Sequence, residues 1–457
     1  MSAAEKLQVE SAPVRRAQLY ARVWRWHFFA GLFVAPFACL LALTGSVYLF
    51  KPQIESALER RVDRALARGP ALSADVLLAA ALAHHPGSRF EKLFLPGADD
   101  ASVEIQLVLA GGTRQILWLE RASGRVVQEM AADARAMQFV KKLHGELLGG
   151  RYGSAVVELA ASWLIVLLAS GLYLWWPRRR SWGRAFFPRL DFSTRRWLRD
   201  AHGAAGLWLS SVVLLFLLSG LPWTGVWGGA FDRVRELVRS GSVDEHGPHA
   251  RAPAEGSPWS RSNSEETVAR AAWRPGSSPS VSLQRIVERA ERELLAPPVE
   301  VAPPTASSDV WTVRSMTQRR PDRVTLEYDV ATGGERKRIT FADQGPLDRV
   351  VSYGIALHEG HLFGALNQLF GVVVALGVIG MSVSGVVMWW QRRPKGSLAV
   401  PPLPGDRRLS RGVALAVLGL AAFLPLVAAS LIAVGLAERL WTHLGSPRVG
   451  RARAPST

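Results

Sequence analysis

Five apolar runs contain no charged residue: 28–50, 159–176, 203–231, 362–390 and 412–437. A helix needs roughly 20 such residues to cross the hydrocarbon core of a bilayer. Inside lipid every backbone N–H and C=O must find its partner within the protein, so a chain with five such runs is committed to helices that span. The first run is too long for a removable signal sequence and lacks a small-residue cleavage site, so it is read as a retained span. The fold class that follows is a polytopic α-helical membrane protein with about five spans.

Charge gives the expected orientation. The 457-residue chain carries a net +17, but the excess sits beside the apolar runs. Eight arginines lie in 177–199 against Asp191, and six basic residues lie in 391–411 against Asp406. Lys6, Arg15, Arg16, Arg22 and Arg25 precede the first run. Basic residues packed against helix ends mark the cytoplasmic side, so the charge reads as topology and not as a nucleic-acid surface. The expected location is a bacterial inner membrane with the N-terminus inside and both long inserts in the periplasm. Arg439, Arg448, Arg451 and Arg453 in the tail then fall outside, against the rule. Cys39 is the only cysteine, which excludes an internal disulfide, a Cys-ligated iron–sulfur cluster and c-type haem attachment.

The chain repeats itself. Leu143-His144 and the exit Ser170-Gly171…Trp175-Trp176-Pro177-Arg178-Arg179 return, at one common offset, as Leu357-His358 and Ser384-Gly385…Trp389-Trp390-Gln391-Arg392-Arg393. A second, shorter offset relates His27, Gly31-Leu32 and Thr44-Gly45 to His202, Gly206-Leu207 and Ser219-Gly220. The unit is helix, insert, helix, and each of its helices has a histidine just ahead of its apolar run.

The chain divides into a mobile cytoplasmic leader (1–22), a first span (23–50), an insert (51–140), an interfacial segment with the second span (141–177) and a basic loop (178–200). A third span (201–231), a second insert (232–355), a fourth span (356–391), a second basic loop (392–411), a fifth span (412–437) and a tail (438–457) follow. In the first insert, Ser73 caps a helix to His84 with Val76, Leu77, Ala80 and Ala81 on one face. Strands follow at 103–109, 115–119 and 125–128. His84 and His85 are neighbours in sequence and so expected to point apart into solvent. The second insert opens with a flexible stretch, 241–280, holding His246 and His249. A helix over 282–295 and strands at 309–314, 323–329 and 336–341 come next. Each insert is thus a small α/β module.

The chain resembles the PepSY-associated transmembrane family over about residues 20–395. The Trp26-His27 entry to the first span, the Asp329-Val330-Ala331-Thr332-Gly333 turn and the Ser-Gly…Trp-Trp-x-Arg-Arg exits carry the resemblance. It implies PepSY-like periplasmic modules, at 281–345 in the second insert. Some members look like haem-carrying inner-membrane ferric-siderophore reductases. Others carry a fused flavodoxin-like reductase domain, which is lacking here, and no Gly-rich dinucleotide fingerprint follows a strand.

Five of the ten histidines sit near span entries: His27, His202, His144, His358 and His361. The repeat pairs His27 with His202 on the inner side and His144 with His358 on the outer side. Together with the resemblance, this implies axial ligation of two b-type haems, one near each face, with His361 as an alternative to His358. His358 and His361 are three apart, not the four of a zinc-peptidase motif. The implied activity passes electrons from an unidentified cytoplasmic donor across the lipid bilayer to a ferric siderophore or chelate in the periplasm, releasing Fe(II) for iron uptake. The alternative is a non-redox PepSY module that binds or regulates a periplasmic peptidase or other partner. A metal transporter ranks last, because the buried acidic ligands expected along such a path are lacking. Oligomeric state is not legible. Glu158, Asn367 and Gln368 are polar groups at the outer span ends, expected to face the bundle, and the tryptophan pairs read as interface belts.

Overall fold

The computed structural model describes residues 3–63, 66, 69–177, 186–187, 195–241, 281–305, 308–394, 396, 401 and 411–444. The expected flexible stretch with His246 and His249, most of both basic loops and the end of the tail lie outside the described residues.

Four helices are long and apolar enough to cross a membrane, or five spans if a bent pair near the C-terminus is counted as one. The first is α1 (Ala3–Tyr48), which continues back through the leader as helix. After α2 (Lys51–Asp63), α3 (Ala74–His84) and strands β1 (Arg89–Phe94), β2 (Ser102–Val108), β3 (Arg114–Glu120) and β4 (Val126–Ala131), the chain returns through α4 (Ala136–Glu146) into α5 (Gly150–Trp175). The second half repeats this order. It runs through α6 (Arg195–Gly220), α7 (Val226–Gly241), α8 (Leu283–Arg292), β5 (Val299–Ala302), β6 (Val310–Ser315), β7 (Thr325–Asp329), β8 (Glu335–Ile339), α9 (Pro346–His358) and α10 (Ala365–Arg392). In the bundle, α1 and α6 stand diagonally, each packed against both α5 and α10. All four helices meet the inserts at one end, here the sheet end; the basic loops leave from the other.

The expected fifth span is not one helix. It breaks into α11 (Arg411–Phe423) and α12 (Pro425–Leu444), bent by 116°. Pro425 lacks an N–H and its ring clashes with the preceding turn, which favours a break at this point. The break is seated in the bundle: Leu424 is fully buried with Ile165 and Leu221, and Trp227 Nε1 donates to Phe423 O at 3.1 Å.

The two inserts are not separate modules. Their strands form one eight-stranded antiparallel sheet, ordered β4-β3-β2-β1-β5-β6-β7-β8. The seam is β1 against β5, with Leu93 opposite Val301 and Phe94 opposite Glu300. Alternation works as expected within each half: Val103, Ile105 and Leu107 on β2, and Trp311 and Val313 on β6, point into one core shared by α3 and α8. Both helices begin on a serine, Ser73 Oγ accepting from Val76 N and Ser282 Oγ from Arg285 N. The buried face of α3 is Ala74, Leu77, Leu78 and Ala81, while Val76 is half exposed; the expected face was turned because α8 packs across it. Asp75 accepts from Leu283 N at 2.9 Å, joining the two helices.

A charged triad closes the seam. The buried Glu300 carboxylate meets Lys92 Nζ at 3.1 Å and Arg314 at 3.3 Å. Burial alone would raise its pKa, but the two cations outweigh burial and hold it below the usual carboxylate range. A folded pKa below the unfolded value of about 4.3 stabilises the sheet fully above that value, and the contribution is lost as pH falls through the folded pKa. Glu300→Gln is therefore expected to cost about 2 kcal/mol near neutral pH and to flatten the acid limb of the stability profile. Thermal melts of both proteins across the acid range measure this; equal melting temperatures at neutral pH would contradict it.

Candidate functional site

Each of the four paired histidines rests on a Ser-Gly or Thr-Gly pair of another helix. At the basic end, His27 Nδ1 lies 3.0 Å from Ser170 Oγ on α5, and His202 Nδ1 lies 2.8 Å from Ser384 Oγ on α10. At the sheet end, His144 Nδ1 lies 2.9 Å from Thr44 Oγ1 on α1, and His358 Nδ1 lies 3.0 Å from Ser219 Oγ on α6. The repeat offsets that relate the histidines also relate their anchors, so the site has the symmetry of the duplication. The glycines after Ser170 and Thr44 let the rings of His27 and His144 lie close to the helix. A Cβ on Gly171 would stand 3.0 Å from His27 Cε1, and one on Gly45 would stand 3.2 Å from His144 Cε1.

Counting donors assigns the tautomer. A hydroxyl has one hydrogen. Ser170 donates it to Leu167 O, Thr44 to Leu40 O, Ser219 to Phe216 O and Ser384 to Met381 O, at 2.8 to 3.0 Å. With the hydroxyl hydrogen on the helix carbonyl, each oxygen accepts Nδ1–H from the facing histidine. For His358 a carbonyl agrees independently, since Phe216 O lies 3.0 Å from the same nitrogen. All four Nε2 atoms therefore carry a lone pair. A histidine held through one nitrogen with the other free is how proteins orient metal ligands.

The two layers are well separated. Thr44 follows His27 by seventeen positions on α1, roughly 26 Å at 1.5 Å per residue. At the basic end His27 and His202 line one cavity of about 740 Å³, within the roughly 300–1,000 Å³ typical of cofactor sites. Its walls are apolar, with Met381, Trp175 and Trp389 among them, and Arg199 and Arg392 stand at its rim. Trp175, Trp176 and Trp389 thus line the cavity, and Trp176 and Trp390 are also exposed as a belt would be. At the sheet end the rings of His144 and His358 are 6.5 Å apart, centre to centre, and nearly perpendicular at 79°. Two metal–nitrogen bonds of roughly 2.0–2.1 Å, plus about 1.1 Å from each nitrogen to its ring centre, span roughly 6.3 Å. The separation of the ring centres matches that of two imidazoles on one metal centre.

His358, not His361, meets His144. α9 ends at His358, and His361 lies beyond it in the reversal to α10, where Asn367 accepts from Leu362 N and donates to Leu357 O. Gln368 ties α10 to the end of α1 by donating to Leu49 O at 2.8 Å. Glu158 is buried and accepts from Val226 N and Trp227 N at 2.8 and 3.0 Å, so it closes the first turn of α7. The sequence reading marked the Ser-Gly and Thr-Gly pairs as repeated but missed that they hold the histidines. Their shared offsets were the available signal.

This is a helical membrane protein built by duplication, with two layers of paired histidines, each anchored through Nδ1 on a hydroxyl of another helix. Its sequence matches the PepSY-associated TM region over residues 24–392, and the chain belongs to that family. A comparison with curated proteins finds no significant match.

Proposed function

We propose that the chain is an inner-membrane oxidoreductase that holds two b-type haems and reduces a ferric siderophore or ferric chelate in the periplasm. The observation that carries this reading is the set of four imidazoles, each locked by a hydroxyl with Nε2 free, in two symmetric layers. When bound, the haems supply one-electron transfer between the faces. His27 and His202 would hold one haem at the basic end, and His144 and His358 the other at the sheet end. Arg392 lines the basic-end cavity and would pair with a carboxylate of an entering ligand, whereas Arg199 is paired with Asp200. The apolar walls keep water from the ligated nitrogens, and neutral imidazole adds no charge to them. Arginine-rich loops orient the basic end toward the cytoplasm, which leaves the sheet over the outer layer, where a substrate docks. Fe(III) held by hard oxygen ligands loosens on one-electron reduction, so release needs no hydrolysis.

The test is an oxidised-minus-reduced absorption spectrum of detergent-purified protein, expressed with haem available, with haem counted per chain. Two haems that reoxidise on adding ferric chelate are the expected result. A colourless protein would overturn the proposal and leave the non-redox partner-binding module.

A further inference from the structure

Outside the membrane a second cluster of metal-binding side chains lies where the sequence predicted none. His84 is the last residue of α3, and His85 leaves the helix with φ −124° and ψ 83°. That turn brings together two rings that a continued helix would hold about 100° apart. Their centres are 4.9 Å apart, and both Nε2 atoms meet Glu129 Oε2 on edge strand β4, at 3.1 and 3.0 Å. All three donor atoms lie within 4.8 Å of one another, and no other such trio occurs among the described residues. Metal bonds of roughly 2.0–2.1 Å at tetrahedral angles place ligand atoms about 3.3 Å apart, close to the two imidazole–carboxylate distances.

The other half of the sheet supplies a control. The sequence offset that carries Ser73 to Ser282 also carries His84 to Glu293 and Glu129 to Arg338. Glu293 and Arg338 form an ordinary ion pair at 2.7 Å, tying the end of α8 to edge strand β8. At the same place the first half has a carboxylate facing two imidazoles, and among the described residues it shows no ion pair with a guanidinium. A divalent cation would supply the positive charge, and imidazole with carboxylate is a donor set for zinc and copper. We propose that His84, His85 and Glu129 bind a divalent transition-metal ion of this kind. All three side chains are partly exposed, so water fills the remaining positions and the ion exchanges with solution. The site stands apart from the intramembrane histidines and does not depend on what they hold.

Zinc titration of the full chain in detergent, read by competition with a chelating dye, tests this. The wild type is expected to bind one more Zn2+ than His84→Ala/His85→Ala, and Glu129→Gln is expected to weaken that ion at least tenfold. Glu129→Gln keeps size and hydrogen-bonding capacity, so it reports the charge and not the fold. Haem content is expected to be the same in all three proteins. Equal zinc stoichiometry and affinity in wild type and both variants would overturn the proposal, as would no zinc binding by the wild type.

Discussion

Replacing His144 by alanine is expected to leave one haem per chain in place of two. Electron delivery to an external ferric chelate should fall by a factor on the order of a hundred or more, larger than the 10–100-fold typical of losing an outer-shell partner. The reason is local. His144 and His358 face each other at 6.5 Å with both Nδ1 atoms committed to Thr44 and Ser219, so neither ring can turn to cover for a missing partner. His361 lies past the end of α9 and has no such anchor among the described contacts. Haem assay per chain and stopped-flow reoxidation by ferric chelate measure the two effects. Thr44→Val tests the anchor alone: it keeps the ligand but removes the hydroxyl, so occupancy should fall less while the spectrum of the remaining haem stays unchanged. Two full haems in the His144→Ala protein would sink the assignment of this layer.

Gly153→Ala is expected to be nearly as damaging, though Gly153 touches no histidine. It lies in the first turn of α5, where an added Cβ would stand 1.6 Å from the carbonyl oxygen of Glu146 at the end of α4. The contact is with backbone, so no rotamer change relieves it. The reversal is already tight, with Leu147, Leu148 and Gly150 all at positive φ. A methyl group there must push α4 off α5, and α4 carries His144. The expected result is loss of the sheet-end haem with the basic-end haem retained, together with a melting temperature lowered by several degrees in detergent, the size of a cost of about 1–3 kcal/mol. A variant with two haems and an unchanged melting temperature would show that α4 does not depend on this approach. The second half solves the same reversal differently, with the Asn367 side chain bridging Leu357 and Leu362.

Much of the candidate site could be read before any fold was known. Histidines that recur at fixed offsets ahead of apolar runs must occupy equivalent places in a duplicated bundle, and four of the five singled out do. The choice between His358 and His361 could not be made that way. They share a helix face only if the helix continues, and it ends at His358. The broken span was partly legible, because Pro425 sits inside the last apolar run, yet hydropathy alone cannot see a bend. A bend that turns the chain back also bears on the tail arginines, which an uninterrupted fifth span would carry across against the charge rule.

Sequence alone determined the features that depend on near neighbours: the first four spans, through hydropathy; the serine caps of α3 and α8, through one side chain and a backbone N–H three residues on; and the alternating strands β2, β6 and β7, through period two. Tertiary structure decided whatever joins residues far apart. Strands β1 and β5 are short and mixed in polarity, and only their pairing with each other merges two inserts into one sheet. Which hydroxyl meets which histidine depends on how helices pack, and no local pattern encodes a partner on another helix. The convergence of His84 and His85 on Glu129 needs both a helix end and a strand 44 or 45 positions away. Local energetics are written along the chain, whereas the sites come from long-range contacts that exist only once the chain is folded.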